Sequence, residues 1–159
     1  MPFIALILFG VLAASFALIF ELLATGLAAV SLSPETLSAG TLGILLSIAS
    51  IEEIAKYLFL RQYARRFLTA DRCTLPYALL CGVGFGSGFA ALEFFLSQNG
   101  VAAIPAPALI GTAGLHIATS SALAVTLFSS AQKTSFRFFV LALAILVHTA
   151  YNATVLLLP

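Results

Sequence analysis

Five apolar stretches, each long enough to cross a bilayer, occupy nearly the whole chain and leave little for a soluble fold. They run over residues 3–30, 39–61, 76–97, 108–130 and 136–158, and a spanning helix needs about 20 such residues. Pro34, Asn99-Gly100, Pro105 and Pro107 interrupt the chain between them, and Pro76 suits the first turn of the third helix. Of 159 residues, 62% are hydrophobic and 8% charged, where an ordinary soluble domain is about 25% charged. Seven basic and six acidic side chains cannot cover a water-soluble monomer of this size. That balance excludes a soluble enzyme, a nucleic-acid binder and a disordered chain. The expectation is an all-α polytopic membrane protein with five transmembrane helices in one domain, residues 1–159. Residues 1–31 form a peripheral first helix, and 39–158 form a four-helix core that carries the polar residues. The first stretch lacks a basic leading region and contains Glu21, so it reads as an uncleaved span rather than a signal peptide.

The basic residues assign the ends. Arg61, Arg65, Arg66 and Arg72 follow the second stretch, and Lys133 and Arg137 follow the fourth; the other two connections hold no Lys or Arg, and the first of them carries Glu35. The positive-inside rule puts the two basic connections, and with them the N-terminus, in the cytoplasm and the C-terminus outside. Cys73 and Cys81 are too few for a disulfide framework and read as small apolar residues.

The informative residues stand in the spans against their solvation cost, about 2.5–3.5 kcal/mol for an ionised side chain at a helix centre. Glu52, Glu53 and Lys56 lie on the second helix, Glu93 on the third, His116 on the fourth, and His148 and Asn152 on the fifth. Glu52 and Lys56 are four apart and Glu53 and Lys56 three apart, so either carboxylate can face the ammonium. Two adjacent carboxylates cannot both ionise cheaply there, which suits one of them to general acid–base work. His148 and Asn152 share a stripe and could both donate to a developing oxyanion. Counted from the cytoplasmic ends, Glu53 sits roughly 12 Å deep, His148 about 15 Å, His116 and Asn152 about 21 Å, and Glu93 about 25 Å. The first four can converge, and Glu93 is the outlier. Glu21 stands apart with no role. Gly82/Gly86 and Gly84/Gly88 are overlapping small-xxx-small pairs that let neighbouring helices approach closely.

Glu52-Glu53-x-x-Lys56, Gly86-x-Gly88-Phe89-Ala90-x-x-Glu93, His116 and His148-x-x-x-Asn152, in order on four successive helices, resemble the PrsW family of intramembrane proteases. That family is similar to the CAAX prenyl endopeptidases and the bacteriocin-processing (Abi) proteins. Phe94 follows Glu93 where an Asn is common in the family. The resemblance implies hydrolysis of peptide bonds in membrane-anchored substrates, such as an anti-sigma factor, in a bacterial inner membrane. By analogy with the CAAX endopeptidases, Glu52 or Glu53 with His116 would activate water, and His148 with Asn152 would hold the oxyanion; Lys56 and Glu93 support them. Glu52, Glu53, His116 and His148 could hold Zn²⁺, but no HExxH occurs and metal-free glutamate chemistry is the preferred expectation. A protease needs a water-filled cavity reaching Glu52 or Glu53, expected here from the cytoplasmic side. The alternative is an inactive scaffold or assembly subunit of a larger membrane complex, similar to the anterior-pharynx-defective subunit of gamma-secretase, in which the same residues bond one another without water. A transporter ranks third, because no inverted repeat is visible.

Overall fold

The computed structural model describes residues 3–28, 38–67, 74–99, 106–129 and 133–157. It consists of α1 (Phe3–Ala28), α2 (Ala39–Phe67), α3 (Leu75–Asn99), α4 (Ala106–Phe128) and α5 (Thr134–Leu156), with no strand among the described residues. The five expected helices are present, and α2 runs six residues beyond the expected end at Arg61. The extension has a packing cause: Tyr63 is fully buried and touches Phe67, four residues on, with ring centroids 5.3 Å apart. Arg65 and Arg66 in the last turn also suit the negative end of the helix dipole. Glu35, Arg72, Cys73 and the Pro34, Gly100 and Pro105 breakers lie outside the described residues.

Helices α1, α3, α4 and α5 each contain a stretch long and apolar enough to cross a membrane. The 29 residues of α2 are long enough, but Glu52, Glu53 and Lys56 break its apolar run. Large apolar side chains face outwards, among them Leu8, Ile19, Phe95, Ile110 and Leu146, as lipid solvation permits.

Helix α1 packs on α2 and α3, α3 on α4, α4 on α5, and α5 on α2, which closes a ring; α2 and α4 also touch across it. Glycine sets the spacing of α3 within this ring. A Cβ on Gly86 would sit 2.6 Å from the carbonyl oxygen of His116, and one on Gly82 would run into the Ser121 backbone, so this face lies directly on α4. A Cβ on Gly88 would collide with the carbonyl of Ile7, and Gly10 of α1 returns the contact against Phe85. The two overlapping glycine pairs thus serve opposite neighbours. At the end of the bundle that carries Arg61, Arg65 and Arg66, the interior is filled by aromatic rings. Phe9 meets Tyr63 edge-on at 5.8 Å, and Tyr63 stacks on Phe128 at 6.3 Å.

Gly86→Ala is expected to push α4 away at His116 and destabilise the bundle by about 1–3 kcal/mol, the usual cost of overpacking. Gly43→Ala, where a Cβ meets nothing within 4 Å, is the matched control. Thermal unfolding in detergent followed by circular dichroism checks both: a lower midpoint for Gly86→Ala and an equal or higher one for Gly43→Ala, where alanine is the better helix former.

Candidate active site

The site is organised from α2. Lys56 is fully buried and has three hydrogens to give. They meet Glu53 Oε1 at 2.7 Å, Nδ1 of His116 at 2.6 Å and Oγ1 of Thr119 at 3.2 Å. The ring of Phe89 lies beneath the ammonium, 4.6 Å from its nitrogen to the centroid. Glu53 Oε1 also accepts from Nδ1 of His148 at 2.8 Å and from Thr119 Oγ1 at 3.3 Å. One buried ion pair therefore grips a histidine from α4 and a histidine from α5.

These contacts give the two imidazoles opposite tautomers. An ammonium can only donate, so Nδ1 of His116 accepts, and its Nε2 carries the hydrogen. That Nε2 meets Glu93 Oε2 in a short hydrogen bond. A carboxylate only accepts, so His148 donates through Nδ1, and in the neutral ring Nε2 is the acceptor. It faces Glu52 Oε2 at 3.5 Å, while His116 Nε2 is 4.0 Å from the same oxygen. Glu52 Oε2 is buried and has no hydrogen-bond partner.

A cavity of about 590 Å³ reaches this point. Glu52, Glu93, His148 and Asn152 line it, with Thr112 and Tyr151 on its wall. Glu53, Lys56 and His116 are not among its lining residues. Tyr151 braces the wall by donating to the carbonyl of Ala108 at 2.6 Å. The lining comes from the C-terminal halves of α3 and α5 and the N-terminal half of α4, so the cavity lies in the half of the bundle away from the arginines. This differs from the expected access at the basic, cytoplasmic end. The reason is the aromatic filling around Tyr63 and Phe128, which closes that end.

The candidate residues read from the sequence come together with two adjustments. Glu93 is not an outlier. Side chains lean towards the N-terminus of their own helix, so Glu93 on α3 and His116 on the antiparallel α4 lean towards each other and close the height difference. Its side chain keeps 30% exposure while His116 keeps none, so Glu93 is the member of this pair open to the cavity. Glu21 was given no role from the sequence, yet it shares a recess of about 30 Å³ with Glu52 and Glu93. Nothing in the spacing of a single carboxyl on α1 signals that; only the packing of Ala14 and Ala17 beside Phe89 brings it there.

The donor set fits a metal ion. Glu52, His116 and His148 each offer a ligand atom, all within 4.8 Å of one another, and one carboxylate with two imidazoles is a known catalytic zinc set. The partnerless Glu52 Oε2 and the free Nε2 of His148 suit a cation directly. His116 would first have to release its Nε2 hydrogen from Glu93. The Glu53–His148 contact is the carboxylate–imidazole support that metal-ligating histidines use.

The family described as "PrsW family intramembrane metalloprotease" matches residues 2–159. The chain belongs to that family, and with its apolar helices it is an integral membrane protein. No curated protein and no solved structure matches the chain.

Removing one partner of the buried pair leaves the other charge uncompensated, at about 3–5 kcal/mol. Glu53→Gln and Lys56→Met are each expected to lower the thermal midpoint strongly, and the double variant less than the sum of the two. Additive losses in a double-mutant cycle would mean that the pair does not hold the site.

Proposed function

We propose that this member of the PrsW family hydrolyses peptide bonds of membrane-anchored proteins with a water activated by Glu52 and His148. The observation that carries this reading is that the cavity meets those two side chains and not Glu53 or His116. Glu52 Oε2 and the Nε2 of a neutral His148 lie 3.5 Å apart; a water bridging them from the cavity side can donate one hydrogen to each. Loss of its proton to either acceptor makes it the nucleophile. When His148 takes the proton, Glu53 at Nδ1 stabilises the cation that forms. Glu53 keeps a partnerless Oε2 too, but it does not line the cavity and its Oε1 is committed to Lys56, Thr119 and His148, so it is placed away from a substrate.

Asn152, one turn beyond His148 on the cavity wall, can donate its amide hydrogens to the oxyanion. The group that took the water's proton, Glu52 or His148, can pass it on to the leaving amine, and Glu93, backed by His116, is a second carboxyl at the cavity floor. This departs from the pairing by analogy, which joins a glutamate with His116 and leaves His148 to the oxyanion. A zinc ion would be held by Glu52, His148 and His116, where it would polarise the scissile carbonyl and acidify a bound water. The cavity also favours hydrolysis over the assembly-subunit reading, which calls for a dry cluster.

On this reading all five helices span the membrane, with α2 carried across by its interior ion pair. The arginine end is cytoplasmic, the N-terminus with it, and the C-terminus lies outside. The cavity then receives substrate from the extracytoplasmic half of a bacterial inner membrane. A membrane-anchored anti-sigma factor fits such a substrate.

In nanodiscs with a tagged single-span substrate, Glu52→Gln and His148→Gln are expected to lose about 10²–10⁴-fold in cleavage rate with the thermal midpoint kept near wild type. Asn152→Ala is expected to lose about 10²–10³-fold. Wild-type cleavage by Glu52→Gln would overturn the proposal.

A further inference from the structure

We propose that the arginine end of the bundle holds one anionic phospholipid, its phosphodiester headgroup received by Arg137, Lys133 and Arg61 and its acyl chains lying on the exposed face of α2 and α5. The proposal concerns binding and is independent of the hydrolytic reading.

Arg137 carries it. Leu141, Ala144 and His148 are the buried stripe of α5, and Arg137 heads that stripe one turn earlier, half-buried. Its Nη2 donates to the carbonyl of Ser129, just past the end of α4, at 3.0 Å, and its Nε is buried with no partner. The contrast with Lys56 is sharp. Lys56 has a carboxylate beside it and every hydrogen matched, whereas Arg137 has one neutral acceptor. Among the described residues no carboxylate is placed to help: Glu21, Glu52, Glu53 and Glu93 all belong to the ion pair, the cavity or its recess. A partly buried charge in that position calls for an anion, and a guanidinium fork matches the two free oxygens of a phosphodiester.

Two more cations stand beside it. Lys133 is the N-cap of α5, and no side chain caps that first turn, so its positive dipole end adds to the attraction. Arg61 comes from α2. The two helices run in opposite directions, since His148 meets Glu53 while Phe138 stacks on Tyr57 with ring centroids 6.2 Å apart. Arg61, one turn beyond Tyr57, therefore comes level with the first turn of α5. A headgroup there would tie together the ends of α2, α4 and α5.

The surface next to these cations favours a lipid over free phosphate. Ile54, Leu58, Arg61 and Arg65 share one exposed stripe of α2, at spacings of one, two and three turns. On α5, Phe138 and Phe139 are exposed one turn beyond Lys133. Cations at the end and apolar side chains running away from them follow the order of headgroup and acyl chain.

The test uses the full chain in an uncharged detergent, with phosphatidylglycerol, phosphatidylcholine or inorganic phosphate added at constant ionic strength. Native mass spectrometry counts the lipid retained, and thermal unfolding reads the stabilisation that a ligand of the folded state confers. The expected result is one phosphatidylglycerol held per chain and a raised midpoint, with no rise from phosphatidylcholine or phosphate. Arg61→Gln and Lys133→Gln are each expected to raise the half-saturating lipid concentration about fivefold, and Arg137→Gln about tenfold. Arg61 and Lys133 are exposed, so their variants carry the test even where Arg137→Gln does not fold. Arg66→Gln is the matched control. It removes the same charge from the same end, but Arg66 lies about 140° around the helix from Arg61 and donates to the side-chain amide of Gln62 at 2.9 and 3.1 Å; the expected change is below about twofold. Equal losses in Arg66→Gln and Arg61→Gln would mean diffuse attraction to a basic surface and overturn the site. An equal rise with inorganic phosphate would overturn the lipid as its occupant.

Discussion

A lysine ammonium with no exposure, in the middle of a helix bundle that lipid surrounds, is tolerable only if every hydrogen it carries is matched. Lys56 meets that condition through Glu53, His116 and Thr119. The requirement is severe because an unpaired charge in a low-dielectric interior costs more than most single contacts can return. Satisfying it draws α4 to α2 through His116, and the same carboxylate draws α5 in through His148. The two histidines are thereby fixed in position and in tautomer. One points a lone pair at Glu52, and the other a hydrogen at Glu93. What looks like a catalytic cluster is thus built around a stability constraint. Each of the two glutamates keeps one oxygen that no protein group satisfies, but Glu53 serves the constraint through its other oxygen, and of the two only Glu52 lines the cavity.

Close helix approach is the second condition. Glycines on two faces of α3 let it lie against the backbones of α4 and α1 at once, which brings Glu93 to His116 and Glu21 to Glu52 and Glu93. The bundle is then unequal along its length. Aromatic rings fill the arginine end, while alanines and the polar floor leave about 590 Å³ at the other. Such a gradient puts a closely packed end and a cavity in the same five helices.

The five helices, and the polar residues that their packing brings together, could be read directly from the sequence. Apolar runs and breakers define the spans. Ionisable residues inside them stand out because so few others are present. Four motifs in order were enough to suggest the family that matches residues 2–159. The division of labour between Glu52 and Glu53 was not legible, because both spacings to Lys56 are helical neighbours; only the contacts of His148 decide between them. The depth of Glu93 was misjudged because a count along the axis ignores side-chain lean. Glu21 and the side on which the cavity lies depend on how α1 and the aromatic residues pack, which no local pattern carries.

The central claim is that the ion pair keeps Glu53 out of the reaction and leaves Glu52 and His148 to hold the reacting water or ion. A cryo-electron microscopy map of the protein in lipid nanodiscs, at a resolution that shows ordered water and metal, tests it most directly. The account predicts density bridging Glu52 Oε2 and His148 Nε2 from the cavity side, with Lys56 in contact with Glu53 on the far side. Density held instead by Glu53 and His116, or a closed and dry contact between Glu52 and His148, would contradict it.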